Sequence, residues 1–271
     1  MMEIDEEAIW KKVNEEIKNT APSEIEATYT KIDKIFMRKK LIELLRRLLF
    51  YINELVVVPK PLKMIIKEMN HHPPICYDKN KRAMVVDPNK ILDYIYLLIN
   101  CTDLGFIDIL FYFVLHEFGH YQLDIDGITP PKNVYSPRFL SLYSKFEDYA
   151  ISKLIRGDRY RAIEEIILRF NALRFCREMS IPLLKMLPIW HLNYLSRSII
   201  TRSIDKIATI ALAYALSYLD LQTILCQFDV PNGVLMRIEL ISSNMTKIDS
   251  HNIGSLPEIA YSTWIKFISI S

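Results

Sequence analysis

Residues 106–126 read FIDILFYFVLHEFGHYQLDID, and the fold class turns on how this stretch is taken. Phe106, Ile109, Leu110, Phe113 and Val114 recur at helical spacing, with further apolar side chains between them. That pattern describes a helix covered on most sides. His116 and His120 stand four positions apart, one turn of that helix, and therefore on one face. The segment His116-Glu117-Phe118-Gly119-His120 is an HExxH: two imidazoles able to reach one metal ion, with a carboxylate beside them to act as a base. With 6 His among 271 residues, chance produces the pattern in roughly one such chain per hundred. A third ligand decides the matter.

Two candidates exist. One is Glu147, in Lys145-Phe146-Glu147-Asp148-Tyr149-Ala150 on the next expected helix; the other is Asp126, six positions after His120. At these residues the chain resembles the gluzincins, the thermolysin-like branch of the zincin metallopeptidases, whose third ligand is a Glu in an ExxA-type motif on the helix after the HExxH. Glu147 and Ala150 supply that pattern. The metzincin branch instead takes its third ligand at the position of Asp126. It requires a Gly three positions after the second His, where this chain has Leu123, and no Met-turn signature follows. Glu147 is preferred.

The resemblance spans about residues 50–157 and is similar to the most compact gluzincins. Its specific part is His116, Glu117, His120, Glu147 and Ala150, and it departs at Gln122, where HExxH peptidases usually carry an apolar residue. It implies zinc held by His116, His120 and Glu147, with Glu117 as general base for peptide hydrolysis, internal cleavage being favoured over terminal trimming. A further donor to the carbonyl oxygen is expected. Tyr143, one turn before Glu147, is taken first, with Tyr135, Tyr149 and His191 as the other possibilities. The imidazoles need acceptors behind them, and Asp124 and Asp148 are carboxylates in the neighbourhood. An extended substrate would pair with a sheet edge, for which Ala83–Val86 is the natural strand.

Outward from the motif, the spacing predicts helices over 3–19 and 24–54, a buried strand at Leu55–Val58 and a helix over Leu62–Met69. Ile75-Cys76-Tyr77 and Ala83–Val86 around a polar turn read as a hairpin. Asp87-Pro88 is an N-cap and first-turn pair opening a helix to about Asn100. A further helix starts near Asp103 and runs into the motif. Residues 124–138 form a loop, and a helix from about Arg138 to Arg156 ends at Gly157-Asp158. The rest of the chain is helical in pattern. The expected architecture is α+β and predominantly helical: a zincin-like domain over 1–157, with a small sheet, an active-site helix and a glutamate helix, then a helical region over 158–271.

Composition narrows the alternatives. Apolar residues make up 51% and charged residues 24%, which excludes a disordered chain. Lys plus Arg number 34 against 32 for Asp plus Glu, a net charge of +2, so no nucleic acid or anionic membrane is expected as partner. Arg46-Arg47 and Lys39-Lys40 are short basic pairs on a solvated helix face. Mean hydropathy is +0.11, yet the longest apolar run, Ile207–Leu219, falls short of the roughly 20 residues a bilayer span needs. It reads as a core helix. The acidic start lacks a secretory pattern, and the cysteines at 76, 101, 176 and 226 form no CxxC pair. A cytoplasmic location with free thiols is expected. His71-His72 precede two prolines in a loop, where neighbours point apart. The partner implied is a peptide or protein substrate. The competing class is a non-proteolytic or latent regulatory protein on the same scaffold, its metal structural.

Overall fold

A helix as apolar as 106–125 must be wrapped by other elements, and the chain ahead of it supplies them. In the computed structural model the described residues are 4–18, 34–56, 58–69, 73–132, 134, 136–167 and 232–270. The architecture is α+β and mostly helical, with a small three-stranded sheet and a separate two-stranded pair. Two compact units divide the chain: Met1–Gln122 with Ile155–Ile163, and Leu123–Leu154 with Glu164–Ser271.

The first unit begins with β1 (Ile4–Asp5) and α1 (Glu6–Lys18). Asp5 opens the helix by accepting the Ala8 N–H through its carboxylate at 3.1 Å, as N-terminal caps do. α1 packs its buried Ile9 and Val13 with α2 (Lys34–Leu55), whose Leu41, Leu45, Leu48 and Ile52 form a buried stripe at helical spacing. The expected strand at Leu55–Val58 is not found among the described residues of that run. Leu55 ends α2, and the Val56 N–H still donates to the Ile52 carbonyl at 2.9 Å. Helix propagation, which adds one hydrogen bond per residue, outweighs the β preference of Val56.

The expected helix over Leu62–Met69 is also corrected. Lys63–Ile66 is a strand, β2, lying parallel to β4 (Ala83–Val86) with Lys63 opposite Ala83 and Ile66 opposite Val86. Eight residues are too few to hold a helix alone, whereas the extended chain gains a ladder. Asn53 prepares it: its side chain bonds both the N–H and the C=O of Leu62, at 2.8 and 3.0 Å. β3 (Ile75–Asp78) pairs antiparallel with β4, as the hairpin pattern predicts. The Asp78 carboxylate accepts the N–H groups of Asn80 and Lys81 in the turn, and Arg82 takes positive φ (46°). The strand order is β2-β4-β3. Ala83–Val86, expected at the edge, is therefore the central strand and is buried along its length.

Asp87 then caps α3 (Pro88–Cys101), accepting from Asn89 and Lys90 with one oxygen and from Met69 with the other. α4 is Phe106–Ile125. It is held from several directions: Trp10 of α1 meets Phe111 edge-on at 5.0 Å, Tyr94 and Tyr96 of α3 face Phe113 and Phe106, and Tyr77 of β3 meets Tyr121. Each fully buried side chain of this size contributes about 1.5–3 kcal/mol. Ile155–Ile163, which opens with β5 (Ile155–Arg156), completes this unit. β5 lies parallel to β1, so the helix expected to reach Arg156 stops at Leu154. Residues 158–167 are helical again (α6).

In the second unit α4 ends in a Schellman arrangement: the Ile128 N–H returns to the Leu123 carbonyl and the Gly127 N–H to Asp124, with Gly127 at φ 75°. α5 (Pro137–Leu154) packs with α8 (Leu256–Ser269), Phe139 lying against Tyr261 and Trp264. α7 (Asn232–Met245) packs on α8 as well. The run Ile207–Leu219 lies outside the described residues. Among those described, no helix is long and apolar enough to cross a membrane.

Candidate active site

The burial of α4 is interrupted at two positions. Residues 109–115 and 117–119 are buried, whereas His116 and His120 are half-buried. Their rings stand 4.9 Å apart, centroid to centroid, at 84° to one another, the stacking of side chains one turn apart. The HExxH face is thus where the middle of the helix, between residues 109 and 123, opens.

Glu117, between them in sequence, is tied to the sheet. It is 7% exposed, and its Oε2 accepts the backbone N–H of Tyr77 on β3 at 2.5 Å. A buried carboxylate needs such a donor. Cys76, the neighbour of Tyr77, feels the same charge: burial, then the charges of Glu117 and Asp78, push its thiol up to about 12. It is a free thiol with little thiolate character.

His116 has a partner that sequence reasoning missed. Its Nδ1 lies 2.7 Å from the hydroxyl of Tyr160 on α6. Tyr160 is fully buried, stacks on Tyr112 at 4.9 Å, and lies parallel to the His116 ring. Tyr112 is one turn ahead of His116. No local pattern marks Tyr160, because the contact spans 44 positions and follows from the pairing of β1 with β5.

On α5, in the second unit, Glu147, Asp148 and Tyr149 are buried, as is Ala150. Asp148 is paired with the Lys145 ammonium through its Oδ2. Tyr143, one turn before Glu147, is 2% exposed, and burial together with the Glu147 charge drives its hydroxyl far above the usual tyrosine range. It keeps its proton, as a hydrogen-bond donor must. Lys153 sits over the Tyr149 ring at 5.0 Å. Asp126 is exposed in the turn that ends α4, and Asp124 accepts the Gly127 N–H there through its backbone carbonyl. Tyr135, His191 and the pair His71-His72 lie outside the described residues.

Among the described residues, His116 and His120 on α4 offer two ligating imidazoles one turn apart, and α5 carries buried carboxylates at Glu147 and Asp148. No protein-family model matches the chain, and no curated protein or solved structure is significantly similar to it.

Proposed function

We propose that this chain is a zinc metallopeptidase cleaving within peptides or unfolded protein segments. His116, His120 and a carboxylate of α5 would hold the metal, and Glu117 would serve as general base. The observation that carries the reading is the face of α4: two half-exposed imidazoles one turn apart, with a buried, backbone-anchored carboxylate adjacent in sequence.

The donor types fit the ion. Two imidazoles and one carboxylate make the ligand set of many catalytic zinc sites, which keep a fourth position open. When bound, zinc supplies a Lewis acid that polarises a carbonyl and makes a water acidic near neutral pH. The chain's own groups do the rest. Glu117, oriented by the Tyr77 N–H, would take the proton of the attacking water and return it to the leaving amine. Tyr143 would donate to the carbonyl oxygen. Because β4 is flanked on both sides, β3, the edge strand that meets Glu117 through Tyr77, is the strand on which an extended substrate would align.

Two neighbouring carboxylates compete for the third position. Glu147 is the residue the gluzincin resemblance implies, and Asp148 is the buried carboxylate next to it on α5. Adjacent helical residues project about 100° apart, so one of them serves. Zinc content of Glu147→Gln and Asp148→Asn separates the two, since the ligand variant alone loses metal. The second reading, a latent or non-proteolytic protein with a structural metal, is favoured by the Lys145–Asp148 ion pair, which already balances that charge.

The deciding measurement is metal content with hydrolysis of a labelled unfolded protein. About one zinc per chain, lost in His116→Ala, is expected. Glu117→Gln should keep the zinc and lower turnover by about 10²–10⁴-fold. Absence of metal, or hydrolysis unchanged in Glu117→Gln, overturns the enzyme.

A further inference from the structure

An imidazole can ligate through Nε2 only while its proton, if it carries one, sits on Nδ1, so whatever accepts at Nδ1 selects both tautomer and ring orientation. The group at Nδ1 of His116 is a phenol, 2.7 Å away, fully buried. We propose that Tyr160 is the positioning residue for His116, its oxygen accepting the Nδ1 proton and so presenting Nε2 to the open face of α4. This rests on the reading of His116 as a ligand.

The surroundings are built for the task. The Tyr160 ring is clamped by Tyr112 from α4 itself, so the hydroxyl and the imidazole it serves are referred to the same helix. The start of α6 is set by the N-terminal segment. β1 pairs with β5, and Glu6 comes so close to Gly157 that a Cβ there would lie 1.9 Å from the carboxylate. Gly157 also has φ 141°, a conformation other residues avoid. Only glycine lets the chain turn from β5 into α6 beneath Glu6 and deliver Tyr160 three residues later. A neutral phenol oxygen is also a weaker acceptor than the carboxylate often found behind a ligating imidazole, and it leaves the ring closer to plain neutral imidazole.

The experiment reads the His116 ring directly in the full chain. Long-range ¹H–¹⁵N correlation of the metal-free protein, with His116 assigned from its loss in His116→Gln, reports which ring nitrogen carries the proton. The wild type should show the proton on Nδ1. Tyr160→Phe should release it to Nε2, while His120 is unmoved, and should weaken zinc binding by about 10–100-fold in chelator competition. If Tyr160→Phe does not fold, 3-fluorotyrosine at position 160 keeps the shape and alters the hydroxyl, and should shift the His116 Nδ1 resonance selectively. A His116 ring indifferent to both changes overturns the assignment. The tautomer is read without metal, so a chain that binds no zinc refutes the metallopeptidase while this measurement still judges Tyr160.

Discussion

At the scale of single residues, Glu6 shows what burial does to a carboxylate outside the proposed chemistry. It is 1% exposed at the start of α1, and burial pushes it up to about 7, assisted by Glu7 and Asp158 and opposed by the Tyr160 N–H and by Arg159. Arg159 itself is held between Asp108 at 2.8 Å and the face of Trp10 at 3.9 Å. The unfolded chain releases the Glu6 proton near 4.5. Between that pH and about 7 the folded chain binds more protons, so stability declines as pH rises through this window and levels off above it. The loss amounts to about 3 kcal/mol. Glu6→Gln should remove the slope and be the more stable protein at pH 8; urea melts at pH 5 and pH 8 check it, and parallel slopes in both proteins would contradict it. Legibility differs sharply among residues. The trio His116, Glu117 and His120 is readable because helical spacing alone puts two imidazoles on one face. Tyr160 and Tyr77, which orient two of the three, leave no local trace.

Among the elements, those set by local chemistry were read well. The Asp87-Pro88 opening of α3 and the hairpin around residues 79–82 carry their own caps and turn bonds. So does the end of α4, where Gly127 takes positive φ. A Cβ at Gly127 would meet nothing within 4 Å, so the cost of Gly127→Ala is conformational alone. It should destabilise the chain by about 1 kcal/mol. A loss of several kcal/mol in denaturant melts would show that more than the turn is involved. The elements misread are those whose state depends on a distant strand. Lys63–Ile66 is extended because β4 offers a ladder, and Ile155–Arg156 leaves the helix because β1 does the same. The reverse happened at the start of Leu55–Val58, where a long helix takes in Leu55 and the Val56 N–H still bonds back to Ile52.

For the molecule as a whole, the N-terminal residues are structural rather than peripheral. Ile4 and Ile155 are both fully buried and face each other in the β1–β5 pair. Ile4→Ala should therefore cost about 2–5 kcal/mol, the range for a collapsed-on core isoleucine. A terminal residue without such a role would change the melting midpoint by almost nothing, and that outcome would refute the assignment. The amino-acid sequence by itself determined the helical class, the metal-type face of α4 and the caps and turns beside it, because helical periodicity and side-chain-to-backbone bonds act within a few residues. Only the tertiary structure decided which strand lies in the middle of the sheet, that the Tyr77 N–H anchors Glu117, and that Tyr160 stands behind His116. The strand order depends on a pairing 20 positions apart and the other two on contacts 40 or more positions apart, whose energy comes from burial and ladder formation that no local pattern encodes.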